Sequence, residues 1–220
     1  MKKYLLYLIM LIPFMQAMAQ SDSTATQKNY PHYLSVNGTF FLKQFLNFAG
    51  AGTTITASPY VLEYKFLPKH HGFRFSVGGS YSQNKNYLDS SQITITSSTS
   101  FDFRLGYVYQ KKIAKRWAFF VGADVVAHIS NSFLRVNTTE DIVTTKTSSY
   151  SIGAGPSLGF QFTINKRLGL FTETAFYYTF TGSKQGHTFV NNPDFNDSTH
   201  SIGNNLVFIL PTSLFFYVRL

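Results

Sequence analysis

The stretch FDFRLGYVY, residues 101–109, carries a large aromatic or aliphatic side chain at every odd-numbered position. Asp102, Arg104 and Gly106 take three of the positions between them. Side chains that follow one another along a β-strand point to opposite faces of the sheet. The alternation therefore predicts a strand with one apolar face and one face that carries opposite charges.

The same two-residue period recurs along the rest of the chain. We predict eight antiparallel strands, near residues 33–45, 59–67, 72–82, 101–109, 116–129, 149–163, 169–181 and 205–220. Short basic turns join some of these strands, at 68–72, 111–116 and 165–169, and long polar connections join the others, near 46–56, 83–96, 130–147 and 182–203. Short turns at one end and long loops at the other are typical of a transmembrane β-barrel.

The charged residues within the predicted strands indicate which face points inward. Charged residues make up only 13% of the chain, whereas aromatic residues make up 17%. The in-strand charges share a face rich in glycine and serine, and we predict one interior charge network: Glu63, Lys65, Arg74, Asp102, Arg104, Asp124, Glu173 and Arg219. An eight-stranded barrel is just wide enough for side chains to fill, so its interior favours small residues.

We therefore expect an all-β fold, an eight-stranded antiparallel up-and-down transmembrane β-barrel with its aromatic side chains toward lipid. The opposite arrangement, a soluble ligand-binding barrel, would place these aromatic side chains inside, where they are too many to fit. It would also turn the small residues toward water, although a soluble surface normally carries far more lysine and glutamate.

The N-terminal residues have the pattern of an export signal. Lys2 and Lys3 precede a short apolar run, and small residues at Ala17 and Ala19 match a cleavage site. We predict a signal peptide over residues 1–19, a flexible tail over 20–31 and the barrel over 32–220. The chain contains no cysteine, which excludes disulfides and thiol chemistry. Its net charge of +9 is compatible with nucleic acid, but export to a membrane argues against that partner.

The export signal, the turn and loop lengths, the inward charges and the ending LFFYVRL together resemble the small eight-stranded outer-membrane barrels of Gram-negative bacteria, the OmpA/OmpX-like group. This resemblance implies insertion in the cell outer membrane, contact with outer-membrane lipid and lipopolysaccharide, and folding by the barrel-assembly machinery. The implied C-terminal assembly signal consists of alternate apolar residues: Leu214, Phe216, Val218 and Leu220. The group usually ends in Phe, and this chain ends in Leu220.

The role implied by the resemblance is structural or interactive, with the long loops exposed outside the cell and a charge-paired, plugged interior. The fold is porin-like, but the sequence specifies no extracellular partner. We therefore predict a surface role without naming what the loops contact.

A second interpretation is enzymatic. The stretch HISN, residues 128–131, resembles the His-x-Ser-Asn motif of lipid A 3-O-deacylases, which are also small outer-membrane barrels. That resemblance implies His128 as the base, Ser130 as the nucleophile and Glu140 as the residue that orients the histidine; a serine nucleophile needs a base within hydrogen-bond reach. Because His128 is in phase with Asp124, we expect it to face the interior, away from a lipid substrate, and we predict that the protein is not an enzyme.

A third interpretation is a narrow pore or a carrier for a small hydrophobic ligand. Four apolar residues are in phase with the inward-facing positions: Phe120, Val207, Ile209 and Phe215. Eight strands enclose no wide aqueous channel, and inward charges would fill the lumen further. A narrow path or a small apolar site in part of the lumen therefore stays open as an alternative.

Histidine pairs raise the question of a metal site. His70 and His71 are adjacent in a basic turn without a nearby acid. His187 and His200 share a predicted loop with two aspartates, and ordinary loop composition accounts for that grouping. We predict no metal and no cofactor.

Overall fold

The computed structural model describes residues 31–39, 58–89, 92–137 and 142–220, so the predicted signal peptide and nearly all of the predicted tail lie outside the described residues. The strands in chain order are β1 His32–Asn37, β2 Leu62–Phe66, β3 His71–Asp89, β4 Gln92–Lys112, β5 Trp117–Asn137, β6 Ile142–Thr163, β7 Leu168–Phe189, β8 Asp197–Ile209 and β9 Leu214–Arg219. A short 3-10 helix spans Pro193–Phe195. Within the described ranges, no helix is long and apolar enough to cross a bilayer.

The described strands close into one antiparallel ring. Each strand from β1 to β6 pairs with the next one along the chain, and β7 pairs with both β8 and β9. The ring closes where β9 pairs with β1, for example through Arg219 and Tyr33. Because β8 and β9 lie end to end against β7, they are the two halves of an eighth strand. The predicted eight-stranded antiparallel barrel fold is confirmed.

A break at Pro211 divides this last strand. Proline lacks the backbone N–H that a strand ladder needs, so the pairing with β7 is interrupted there. Side chains take over locally: the Thr172 hydroxyl donates to the Pro211 carbonyl oxygen at 3.1 Å. Ser213 Oγ accepts a hydrogen bond from the Ser58 amide at 3.0 Å. The prediction of one continuous strand over 205–220 misses this interruption.

Strands β3 to β8 extend much further on one side than the sequence predicts. The predicted long connections at 83–96, 130–147 and 182–203 are wrong in extent, because strands run through most of these residues. Only residues 90–91, 138–141 and 190–196 lie between the strands there. These extensions carry many Ser, Thr and Asn residues on both faces, and their fewer apolar residues fall on both faces as well, so no apolar phase marks them as strands.

At the opposite end, the connections are short, as predicted. Residues 67–70, 113–116 and 164–167 join the strands there. In one of these turns the Asn165 side-chain oxygen accepts hydrogen bonds from the backbone amides of Arg167 and Leu168, at 2.9 Å and 2.8 Å. The first strand is predicted over 33–45, but residues 40–57 lie outside the described part of the chain.

An apolar band surrounds the outer face of the ring. On β5 it runs from Phe119 to Ile129, and apolar residues dominate the paired outward positions of β4 and β6. These side chains are exposed although they are apolar: Leu105 is 60% exposed and Val125 is 53% exposed. The ten residue steps from Phe119 to Ile129, at about 3.3 Å each on strands tilted by about 40°, give a band about 25 Å tall.

Aromatic side chains fill the lumen near the short turns. Phe171 stacks on Phe215 with ring centroids 4.6 Å apart, and Phe120 meets Phe171 edge-on at 5.8 Å. All three side chains are almost completely buried. A Cβ at Gly159 would lie 2.4 Å from the Phe120 ring, so glycine makes this packing possible.

Candidate functional site

Six of the eight predicted interior residues meet in one layer of the lumen, which we call the charge network: Glu63, Lys65, Arg74, Arg104, Asp124 and Glu173. They come from five strands, and none is more than 3% exposed. Each lies between two outward positions of its strand, which are apolar for five of the six and threonines beside Glu173. The alternation that turns these neighbours outward therefore turns the charged side chains inward.

Arg74 lies at the centre of the charge network. Its Nε donates to Asp124 Oδ1 at 2.8 Å, and its Nη2 donates to Asp124 Oδ2. Its Nη1 donates to Glu173 Oε2 at 2.8 Å, while Nη2 also donates to Ser157 Oγ. The Tyr177 hydroxyl donates to Asp124 Oδ2 at 2.9 Å. The planar guanidinium fork thus holds one carboxylate in a bidentate pair and reaches a second one.

Arg104 links the two glutamates of the charge network. Its Nη1 donates to Glu173 Oε1 at 2.5 Å, and its Nη2 donates to Glu63 Oε2. Its Nε donates to Ser76 Oγ at 3.0 Å, and the Ser76 hydroxyl donates to Glu63 Oε2 at 3.1 Å. Lys65 Nζ lies 2.8 Å from Glu63 Oε1. Glu173 therefore bridges the two arginines, and Glu63 bridges Arg104 and Lys65.

The charge network is electrically balanced, with three cations and three carboxylates. A buried charge without a partner is very unfavourable, whereas paired and hydrogen-bonded charges are tolerated. The cations also contact aromatic rings: Lys65 Nζ lies 3.7 Å from the Phe171 centroid, and the Arg104 guanidinium lies 4.2 Å from the Tyr60 centroid. These cation–π contacts join the polar layer to the aromatic side chains and fill the lumen.

Glycine makes room for the charge network beside Asp124. Gly106 on β4 is paired with Asp124 on β5. A Cβ at Gly106 would lie 1.9 Å from Asp124 Oδ1, the atom that accepts from Arg74 Nε. The carboxylate keeps its pairing geometry only because position 106 has no side chain.

Two predicted members of the interior network lie apart from it. Asp102 Oδ1 lies 2.8 Å from His128 Nδ1, toward the long ends of the strands. Arg219 lies toward the short turns, where its Nη2 donates to Thr163 Oγ1 at 3.2 Å and its guanidinium is 5.2 Å from the Tyr33 ring centroid. Sequence phase gives the face of a residue but not its height in the barrel, which explains the difference.

His128 and Ser130 of the HISN stretch are both in the inward phase of β5. Their side chains contact different partners. The carboxylate beside His128 is Asp102, whereas Glu140 lies outside the described residues. Ser130 Oγ lies 2.7 Å from Ser149 Oγ. In the described part of the chain no hydrogen bond joins His128 to Ser130.

A row of serines crosses the inward-facing positions beyond the charge network, one on each strand from β3 to β8. Direct pairing connects each serine to the next, and we call the set the serine row: Ser80, Ser100, Ser130, Ser149, Ser183 and Ser201. Their hydroxyl oxygens form three pairs at 2.7–2.8 Å. No sequence prediction identified this row, because polar residues lie on both faces of these segments and leave no apolar phase to read.

The four histidines weighed as metal ligands do not form a common site. His187 Nδ1 lies 3.0 Å from Thr145 Oγ1, and His187 Nε2 lies 3.1 Å from Gln185 Nε2. His187 is in phase with the serine row and His200 is not, so the two histidines belong to opposite faces of the wall. Among the described residues, no group of three or more His, Cys, Asp or Glu side chains could hold a metal ion.

Comparison with known proteins gives one distant structural match. No protein-family model matches the chain, and no curated protein matches it. Among solved structures, the ferric yersiniabactin uptake receptor FyuA from Yersinia pestis matches with a TM-score of 0.41 and 10% sequence identity. The match covers 67% of this chain and 24% of the receptor chain.

Proposed function

We propose that this protein is an outer-membrane β-barrel with a plugged interior and a structural or surface-interaction role. The observation that carries the proposal is the exposed apolar band around charges that are almost completely buried. Soluble monomers rarely expose apolar patches larger than a few hundred Å². In a bilayer the same band faces hydrocarbon, and its height of about 25 Å matches the lipid-facing band of outer-membrane barrels.

Aromatic side chains at the two borders of the band support membrane insertion. Tyr109 and Trp117 lie at the border near the short turns, and Tyr81 and Tyr150 lie at the opposite border, all of them exposed. Tyrosine and tryptophan are enriched where a membrane meets water, because their rings are apolar and their polar atoms can reach headgroups.

The polar extensions of the strands support the surface role. Beyond the band, β5 continues from Ser130 to Asn137 and β6 begins at Ile142. These segments present hydroxyl and amide groups on both faces of the wall. We infer that they and their connections form the surface that meets a partner outside the cell.

Partners within the membrane follow from the same orientation. Leu214, Phe216, Val218 and Leu220 are in the outward phase, whereas Phe215 and Tyr217 between them are buried in the lumen. Alternation of this kind at the C-terminus fits the signal that the barrel-assembly machinery reads. The apolar band would contact outer-membrane lipid and lipopolysaccharide.

The contacts of the lumen argue against the two alternative functions. A deacylase would need His128 to activate Ser130, but each has another partner and both are in the inward phase, away from lipid. A carrier for a hydrophobic ligand would need space beside Phe120 and Phe215, but these rings pack against Phe171 instead. In a pore, the solute would have to pass through the charge network, whose closely paired side chains occupy the lumen.

The experiment that tests the proposal is gel migration of the membrane-fraction protein with and without boiling, combined with mass spectrometry of the mature N-terminus. We expect a heat-dependent shift, because a folded barrel resists detergent until it is boiled, and a mature start at Gln20. A protein in the soluble fraction that shows no shift would contradict the proposal.

A further inference from the structure

A groove lies on the outer wall of the barrel at the upper edge of the apolar band, which is the edge next to the polar strand extensions. Its volume is about 420 Å³, and it extends across β5, β6, β7 and β8. Ile129, Tyr150, Gly182 and Ile202 pair in sequence across these four strands and form its lower row. Gly182 lets the Tyr150 ring lie flat against the wall, because a Cβ there would lie 2.5 Å from that ring.

The row directly above is polar and basic. Asn131, Ser148, Lys184 and His200 pair across the same four strands, and all four line the groove. The Ser148 hydroxyl donates to Asn131 Oδ1 at 2.8 Å. Lys184 and His200 are directly opposite each other, a relation that places Cβ atoms about 5 Å apart. An ammonium group and an imidazole that can donate a hydrogen bond thus stand side by side.

The charged residues on the outer face of β5 to β8 have one sign. The acidic residues of β5 to β8, as far as these strands are described, are Asp124, Glu173 and Asp197, and all three are in the inward phase. Lys146, one row above Ser148 on β6, adds a further exposed cation on the outer face. No ion pair among the described residues engages Lys184.

We propose that this groove binds a phosphorylated lipid of the outer leaflet, with the phosphate against Lys184 and His200 and an acyl chain over Ile129, Tyr150 and Ile202. The proposal rests on the membrane insertion proposed above. In that orientation the basic row lies one row above the apolar band, which is the level of the headgroups, and the lower row lies in the acyl region. Basic side chains at this level attract anionic lipid.

The test uses the full mature chain folded into nanodiscs of dioleoylphosphatidylcholine that contain a small fraction of dioleoylphosphatidic acid. Native mass spectrometry then counts the lipids that remain on the released barrel. We expect the wild-type protein to retain phosphatidic acid in preference to phosphatidylcholine. The double variant K184A/H200A should lower that preference by about five-fold or more, since one basic charge near a membrane surface contributes about that factor.

Two further variants separate charge from shape. Lys85→Ala removes an exposed lysine from the outward phase of β3, away from the groove, and should retain the wild-type preference. Gly182→Leu keeps both basic residues but pushes the Tyr150 ring out into the groove, so it should also lose the retained phosphatidic acid. A heat-dependent gel shift in each variant confirms that the barrel has folded.

Three outcomes would overturn the proposal. A barrel that shows the gel shift in nanodiscs but retains both lipids equally would refute the groove while leaving the membrane assignment intact. Displacement of phosphatidic acid by an equal concentration of inorganic phosphate would mean that the site binds phosphate without the acyl chain. A protein that does not fold into these nanodiscs at all would refute both the groove and the proposed function.

Discussion

The two ends of the same strands differ in almost every physical property. Within the apolar band, β4 and β5 expose Leu105 and Val125 and bury Arg104 and Asp124. Beyond the band the same strands carry polar residues on both faces, and the serine row is only partly buried or exposed. In the lower half, which is the part of the barrel within the apolar band, the outer face is apolar and the charge network lies inside. In the upper half, which is the part beyond the band, polar residues lie on both faces.

This difference indicates where the stability of the barrel originates. In the lower half a lost partner leaves a charge buried where water cannot replace it. In the upper half water can reach the hydroxyl groups, so a lost hydrogen bond has a small effect. The lower half therefore contributes most of the stability of the fold, and substitutions in the upper half should have smaller effects.

The largest effect is expected from Arg74→Ala, which leaves Asp124 and Glu173 without their shared cation. We expect unfolding to become easier by about 3–5 kcal/mol, the usual effect of breaking a buried ion pair. Urea titration of the reconstituted barrel, followed by the gel shift, measures the change. A variant as stable as the wild type would mean that the charges are solvated and that the faces are assigned the wrong way round.

The second largest effect is expected from an arginine introduced on the outer face of the band. Val125→Arg places a charge near the middle of the apolar band and should destabilise the barrel in vesicles by about 2–4 kcal/mol. Thr99→Arg, in the polar row above the band, should change stability by about 0–1 kcal/mol. The same urea titration measures both variants. Equal effects would contradict the assignment of the band to hydrocarbon.

The addition of a methyl group at Gly106 tests how tightly the charge network is packed. Gly106→Ala would bring a Cβ within 1.9 Å of Asp124 Oδ1 and should destabilise the barrel by about 1–3 kcal/mol through overpacking. Gly203→Ala is the matched control near the upper border of the band, because nothing lies within 4 Å of its added Cβ. Thermal unfolding monitored by circular dichroism compares them. A control variant as unstable as Gly106→Ala would show that the close contact with Asp124 is not the cause of the destabilisation.

The smallest effect is expected from Ser130→Ala. It removes one hydroxyl pair with Ser149 and should lower stability by about 1 kcal/mol or less. Because we assign no hydrolytic role to Ser130, the lipid A acylation pattern of cells that produce the variant should match the wild type when analysed by mass spectrometry. A changed pattern would instead support the deacylase interpretation.

Sequence periodicity predicted the fold wherever one face of a strand is apolar. The phase of Glu63, Arg74 and Asp124 was therefore clear from their neighbours. Strand register could not be predicted in this way, because the pairing of Asp102 with His128 depends on the height of one strand relative to the next. The extensions beyond the band and the serine row escaped prediction for a related reason: polar residues on both faces leave no phase to read.

The central claim is that the apolar band faces lipid, and depth-dependent quenching tests it most directly. The chain has no cysteine, so single cysteines at Val121, Val125, Ile129 and Phe133 on β5 can each carry one fluorescent bimane label. In vesicles of brominated phosphatidylcholine we predict the strongest quenching at position 125, weaker quenching at 121 and 129, and almost none at 133. Weak and equal quenching at all four positions would contradict the account.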